Sequence, residues 1–149
     1  MDRAKPGMVT VNQAGERFVN ESTSYHLFGL AMQRAGQDGL PSMPAYLIGD
    51  AEALGRYGMG MIRPGGQGLE PFLADGYLTR ADTIDALAIA LAIDPLRLRA
   101  TVDTFNGHAR AGSDPDFQRG VTAYQRNIGE PAWPGSNPTL GPLQVGPYY

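Results

Sequence analysis

The sequence predicts an α+β fold: a small β-sheet, a helical hairpin and one additional helix, joined by long irregular loops rich in Gly and Pro. Three observations predict it. Short strand-like segments at Met8–Val11 and Ala45–Ile48 are bounded by turn residues. Apolar residues recur at helical spacing between residues 82 and 112, with capping residues at the ends. The 149 residues include 20 Gly and 12 Pro, which demands loops but stays short of the density of a disordered chain. A chain of this length buries about 70% of the surface its unfolded form exposes, enough for one real core.

Met8 to Val11 reads as a strand, and Arg17 to Val19 as its hairpin partner across Asn12-Gln13-Ala14-Gly15. Ser22 or Thr23 is expected to cap the next helix, on which Tyr25, Leu27, Phe28, Ala31 and Met32 recur at helical spacing, and Gly36 to end it. Ala45 to Ile48 reads as a buried strand ending at Gly49-Asp50. The glycine-rich stretch from 55 to 76 reads as an irregular loop. Asp82 is expected to cap a helix whose apolar face is Ile84, Leu87, Ala88 and Leu91. Asp94-Pro95 opens a second helix, because Asp accepts from free N–H groups and Pro is preorganised for the first helical position. Leu98, Val102, Phe105 and Ala109 share one face of it, and Gly112 ends it. Asp114-Pro115-Asp116 is turn chemistry. Gly129 to Pro147 holds four glycines and five prolines and is expected to run as an irregular tail over a surface. Pro147-Tyr148-Tyr149 brings strand-forming aromatics with no stop signal, a hint of a longer parent.

Composition removes several chemistries. The formal net charge is −3, and the basic residues stand singly, so no basic stripe for nucleic-acid phosphates is present. Cys is absent, which excludes disulfides, thiolate metal sites and cysteine nucleophiles. Only His26 and His108 could supply imidazoles, and no metal site is expected. The longest apolar run, Ala86 to Ile93, is far short of the ~20 residues that span a bilayer. No signal peptide is visible, so the cytoplasm is the expected location.

Gly58-Met59-Gly60-Met61-Ile62-Arg63 begins like a dinucleotide fingerprint but has Arg63 in place of the third glycine. The segment Gly15-Glu16-Arg17-Phe18-Val19-Asn20-Glu21-Ser22-Thr23-Ser24-Tyr25-His26 is more informative, because it concentrates polar residues where a strand end meets a helix start. It resembles the motif that opens the substrate domain of FAD-dependent 3-ketosteroid dehydrogenases, within the fumarate reductase/succinate dehydrogenase flavoprotein superfamily. The resemblance continues in order through Lys5-Pro6-Gly7, Gly76-Tyr77-Leu78, Ala81-Asp82-Thr83, Ile93-Asp94-Pro95, Phe105-Asn106, Gly112 to Gly120, Asn137 to Leu143 and Gly146-Pro147-Tyr148-Tyr149. Leu27, where Asp is frequent, and Gln118, where Gly is usual, depart from it.

The resemblance implies a fragment: residues 1–140 as the substrate-capping domain, and 141–149 as the start of a segment returning to an FAD-binding domain that lies outside the chain. FAD would be bound mainly by that missing domain, with Trp133, Tyr148 and Tyr149 packing against it. The implied substrate is a steroid or another small hydrophobic ketone. A fumarate reductase-like fragment acting on another enone or dicarboxylate, and a non-catalytic truncated domain, are the alternatives. In the fumarate reductase branch an arginine serves as proton donor at the position held here by Tyr25; in the ketosteroid branch that position is a tyrosine base. Tyr25 is therefore the candidate catalytic residue, and no substrate-binding residue is assigned.

A phenol ionises near pH 10, so acting as base at neutral pH costs roughly 4 kcal/mol. The first turn of a helix supplies about 0.3–1 kcal/mol of that; the remainder is expected from flavin and a second hydroxyl outside the chain. The structural alternative is a core tyrosine with its hydroxyl hydrogen-bonded. His26, about 100° round the helix, is expected to be structural, and His108 to be solvated on a helix flank. Asn20 and Glu21 are expected to cap the helix or link strand to helix. Arg119 is expected to pair with Asp114 or Asp116 at the surface, with contact to a flavin phosphate as the alternative.

Overall fold

The computed structural model describes residues 1–37, 39 and 42–149. At its centre is strand β1 (Met8–Val11), all four residues of which are buried. A strand covered on both faces needs no polar alternation, which accounts for the run Met-Val-Thr-Val. β1 pairs antiparallel with β2 (Tyr46–Gly49), Val9 opposite Ile48 and Val11 opposite Tyr46. Val9, Val11 and Ile48 face one core, shared with Leu87, Leu98, Val102, Phe105, Leu140 and Leu143. Met8 faces a second core with Ala53, Leu54, Met59, Ile62, Leu78 and Tyr149.

The partner of β1 differs from the expected hairpin. The 12–16 turn forms, closed by Asn12, whose side-chain oxygen accepts from Ala14 N (2.9 Å) and Glu16 N (3.0 Å). The chain then turns away instead of running back along β1. Side chains finish the outer edge of β1. Thr10 N donates to Glu21 Oε1 (3.2 Å), and Met8 O accepts from Arg119 Nη1 (2.8 Å).

Those two side chains belong to a buried cluster of four charges. Arg17 grips Glu21 with two prongs (3.0 and 2.8 Å) and Asp114 with two more (3.1 and 2.9 Å). Arg119 Nη1 lies 3.2 Å from Glu21 Oε2, and Nη2 donates to the carbonyls of Arg3 (3.2 Å) and Lys5 (2.9 Å). The Phe105 ring lies against both guanidiniums, at 5.1 and 5.5 Å. The side chains of Glu21, Asp114 and Arg119 are wholly buried. The surface pair expected for Arg119 is therefore corrected, and its buried guanidinium faces backbone carbonyls where a flavin phosphate had been the alternative.

The helical hairpin matches expectation closely. α4 (Ile84–Ala90) packs on α5 (Pro95–Ala111), which Asp94 caps at Leu96 N and which Gly112 ends in the left-handed conformation, φ 72°. Leu98, Val102, Phe105 and Ala109 are all buried. The cap of α4 is Thr83, whose hydroxyl accepts from Ala86 N (3.1 Å), one residue after the expected Asp82. Residues 55–76 are more ordered than an irregular loop: α2 (Ala51–Tyr57) and α3 (Glu70–Ala74) occupy part of them. α2 starts at Asp50, whose Oδ1 accepts from Ala53 N (2.8 Å).

The Gly/Pro-rich tail is woven in. After α6 (Ala123–Asn127), the carboxamide of Asn106 makes two bonds to the Leu143 backbone (3.0 and 2.8 Å). Asp50 Oδ2 accepts from Gln144 N (2.9 Å) and Val145 N (3.1 Å). Tyr148 then exchanges two backbone bonds with Ala81, and Tyr149 two with Gly49. Tyr149 is buried and Tyr148 half-buried, while Trp133 lies against Gly141.

Glu21→Ala should leave two buried guanidiniums and Thr10 N without their carboxylate. Stability should fall by about 3–5 kcal/mol, read as a shift in urea midpoint. Gln118 has φ 55°, a left-handed backbone that glycine adopts without strain. Gln118→Gly should raise stability by about 0.5–1 kcal/mol in the same assay.

Candidate functional site

The approach to α1 (Tyr25–Gln37) is tied down residue by residue. Glu21 is held in the charge cluster. Asn20 Nδ2 donates to Phe117 O (2.9 Å), and Asn20 Oδ1 accepts from Ser22 N (2.9 Å). Both residues link segments, and neither caps the helix. Ser24 does so: its hydroxyl accepts from Leu27 N (3.3 Å), one or two residues beyond the expected cap. The helix runs through Gly36 to Gln37.

This places Tyr25 at the first helical position. Its side chain is 70% exposed, so it is not a core residue. Of the described α1 residues only Ala35 is buried, and Leu27 is 55% exposed. The apolar spacing of α1 thus marks an open face and not the core stripe of α5. Phe28 packs tilted on Phe18, with centroids 6.0 Å apart. The Arg3 guanidinium lies 4.5 Å from the Tyr25 ring centroid and 4.6 Å from that of Phe28. Arg3 was not singled out from the sequence; it stands 22 positions away with no motif around it, and only the fold brings it here.

Two grooves are candidates for holding a ligand. One of about 450 Å³ runs beneath α1 between Phe18, Val19, Leu27, Leu30 and Arg34. The other, of about 340 Å³, is walled by Tyr46, Leu47, Tyr77, Leu78 and Tyr149. Tyr25 lines neither. His26 is exposed. His108 is mostly buried, in contrast to the expected solvated flank: its Nδ1 lies 3.6 Å from Asp114 and 3.5 Å from Asp116. Both Asp114 oxygens are already engaged by Arg17, which disfavours a cation among these three.

Residues 1–149 match the family described as FAD binding domain. The chain belongs to this family. The 3-oxosteroid 1-dehydrogenase of Mycolicibacterium smegmatis is 37% identical over 99% of this chain and 26% of its own length. The 4-oxocyclohex-2-ene-1-carboxylate 5-dehydrogenase of Sinomonas cyclohexanicum is 39% identical over 97% of this chain and 24% of its own. The crystal structure of 3-ketosteroid delta1-dehydrogenase from Sterolibacterium denitrificans, in complex with 1,4-androstadiene-3,17-dione, superposes with TM-score 0.87 at 32% identity. It is covered over 26% of its chain, against 99% of this one. The chain therefore spans about a quarter of the length of these FAD-family relatives.

FAD is the cofactor of the family, yet the glycine-rich 58–63 segment does not build a cradle for its phosphates. The backbone N–H groups of the 58–63 segment are already spent: Gly60 N on Asp2 (2.6 Å), Met61 N on the Tyr77 hydroxyl (3.0 Å) and Ile62 N on Met59 O (2.9 Å). A side chain at Gly58 would collide with the Ile62 carbonyl, and one at Gly60 with the Tyr77 hydroxyl. These glycines make room for the protein's own atoms. No helix among the described residues is long and apolar enough to cross a membrane.

Three of the four buried charges, Arg17, Asp114 and Arg119, are shifted from their ordinary pKa values. Burial disfavours the charge on Arg17, Asp114 and Arg119 alike. For Asp114, the Arg17 prongs and the backbone N–H groups of Arg119 and Phe117 outweigh burial and hold the carboxyl below its ordinary range. For Arg17, Glu21 and Asp114 outweigh burial and strengthen its hold on the proton. Burial prevails at Arg119 and lowers its pKa, with Glu21 opposing. A carboxyl whose folded pKa is depressed contributes stability that is present above about pH 4 and is lost as pH falls through the folded value. Urea unfolding from pH 7 to 2 should show that loss. Asp114→Asn should be less stable at pH 7 and flatter across the acid range.

Proposed function

We propose that this chain is the substrate-capping part of a flavin-dependent oxidoreductase that dehydrogenates a carbon–carbon bond beside a ketone, in the manner of a 3-ketosteroid 1-dehydrogenase. Residues 1–140 form the capping unit, and 141–149 begin the segment leading back to the flavin domain. The reading rests on one observation: a tyrosine at the position of the ketosteroid-branch base is rigidly mounted at the start of α1 and faces outward, where a partner domain and substrate would meet it. Tyr25 removes the proton from the carbon next to the carbonyl. FAD, held mainly outside this chain, would supply the acceptor for the hydride leaving the neighbouring carbon. An open apolar surface around Leu27 and Phe28 suits a ring ketone, whether a steroid or a smaller carboxylated ring like those named for the Sinomonas relatives.

In the full-length enzyme that carries this chain, Tyr25→Phe should lower kcat by about 10²–10⁴-fold, the usual share of an acid–base group. FAD content, read from the visible absorbance, should not change, because Tyr25 supports no core. Turnover of a 3-ketosteroid and of 4-oxocyclohexanecarboxylate with an artificial electron acceptor identifies the substrate class. Retained turnover in Tyr25→Phe removes Tyr25 from the mechanism.

A further inference from the structure

We propose that Arg3 is a positioning residue for Tyr25, locking the ring plane and so the direction of the hydroxyl. The proposal deepens the reading above and rests on it. Three features of Arg3 have no ordinary structural explanation. Arg3 is only 7% exposed, yet among the described residues no carboxylate forms an ion pair with it. Its Nε is buried with no hydrogen-bond partner. It also places a cation at the N-terminus of α1, where helix electrostatics favour an anion.

What Arg3 does have is contact with the site. Its guanidinium lies over the Tyr25 ring at 4.5 Å and the Phe28 ring at 4.6 Å, an attraction between a cation and two π faces. Nη2 donates to Thr23 O (2.7 Å), two residues before Tyr25. The backbone of Arg3 is fixed in turn, its carbonyl accepting from the buried Arg119 (3.2 Å). An exposed tyrosine on a lightly buried helix would otherwise sample several rotamers. The line Arg119–Arg3–Tyr25 connects the rigid charge cluster to that ring.

The test is a double-mutant cycle in the full-length protein, with ¹³C-labelled tyrosine as a readout independent of turnover. Arg3→Met should move the Tyr25 ring resonances and lower kcat by about 10–100-fold, as expected for a displaced reacting group, with KM and FAD content unchanged. Arg3→Lys keeps the charge but loses the planar face, so it should show the same ring shift and a smaller loss; it also serves as the variant to read if Arg3→Met does not fold. On the Tyr25→Phe background, Arg3→Met should have no further effect, because the two act as a unit. Unmoved ring resonances, unchanged kcat, or an equal further loss on the Tyr25→Phe background each overturn the proposal. A Tyr25→Phe enzyme that stays active, while the Tyr25 resonances of the enzyme with Tyr25 intact respond to Arg3→Met, would instead overturn the role of Tyr25 as base.

Discussion

Two guanidiniums and two carboxylates, sealed from water and summing to zero charge, hold this structure together. Arg17, Glu21, Asp114 and Arg119 come from three stretches of chain: the loop after β1, the approach to α1, and the turn after α5. Their burial is tolerable because each charge faces an opposite one within 3.2 Å. Glu21 receives prongs from Arg17, an ion pair from Arg119 and the Thr10 amide, so each lone pair is answered. The same side chains complete the hydrogen bonding along the outer edge of β1, a task that a third strand would otherwise perform.

The site hangs directly from this cluster. Three residues separate Glu21 from Tyr25, and the side chains of Asn20 and Ser24 bond the backbone on either side of that short span, Asn20 at Phe117 O and Ser22 N and Ser24 at Leu27 N. The result is a rigid root with an exposed tip. α1 then leaves the body with a single buried residue, Tyr25 and Leu27 exposed and Phe28, Leu30 and Met32 half-buried. Few buried contacts and a firmly capped first turn suit a surface completed by another part of a larger protein, in keeping with relatives about four times as long. The C-terminal residues belong to the same body: Tyr148 and Tyr149 are paired to Ala81 and Gly49 and help to close the second core.

The elements legible in the sequence are those whose signals are local. The 94–112 helix carries Asp-Pro at its start, a four-residue apolar face and a terminal Gly, and each of these acts within one helical turn. The 12–16 turn was legible for the same reason, since Asn12 bonds residues two and four positions on. The pairing of β1 was not: the hairpin expected with Arg17–Val19 gives way to pairing with Tyr46–Gly49, and local pattern cannot weigh a side chain destined for a buried ion pair. Arg119 shows this most sharply. Beside Asp114 and Asp116 it reads as a surface pair, and its actual partners lie 98 to 116 positions away.

The sequence by itself determined the helical hairpin, the turns, the absence of cysteine chemistry and the placing of Tyr25 at a helix start, because caps, spacing and residue types act over a few residues. The motif resemblance likewise pointed to the FAD family. Only the tertiary structure decided that β1 pairs with β2, that four charges share one dry site, that the Gly/Pro tail is part of the core, and that Arg3 stacks on Tyr25. The reason is desolvation: whether a charged or aromatic side chain is buried, and against what, depends on segments that meet only after the chain has folded, and no nearest-neighbour pattern carries that information.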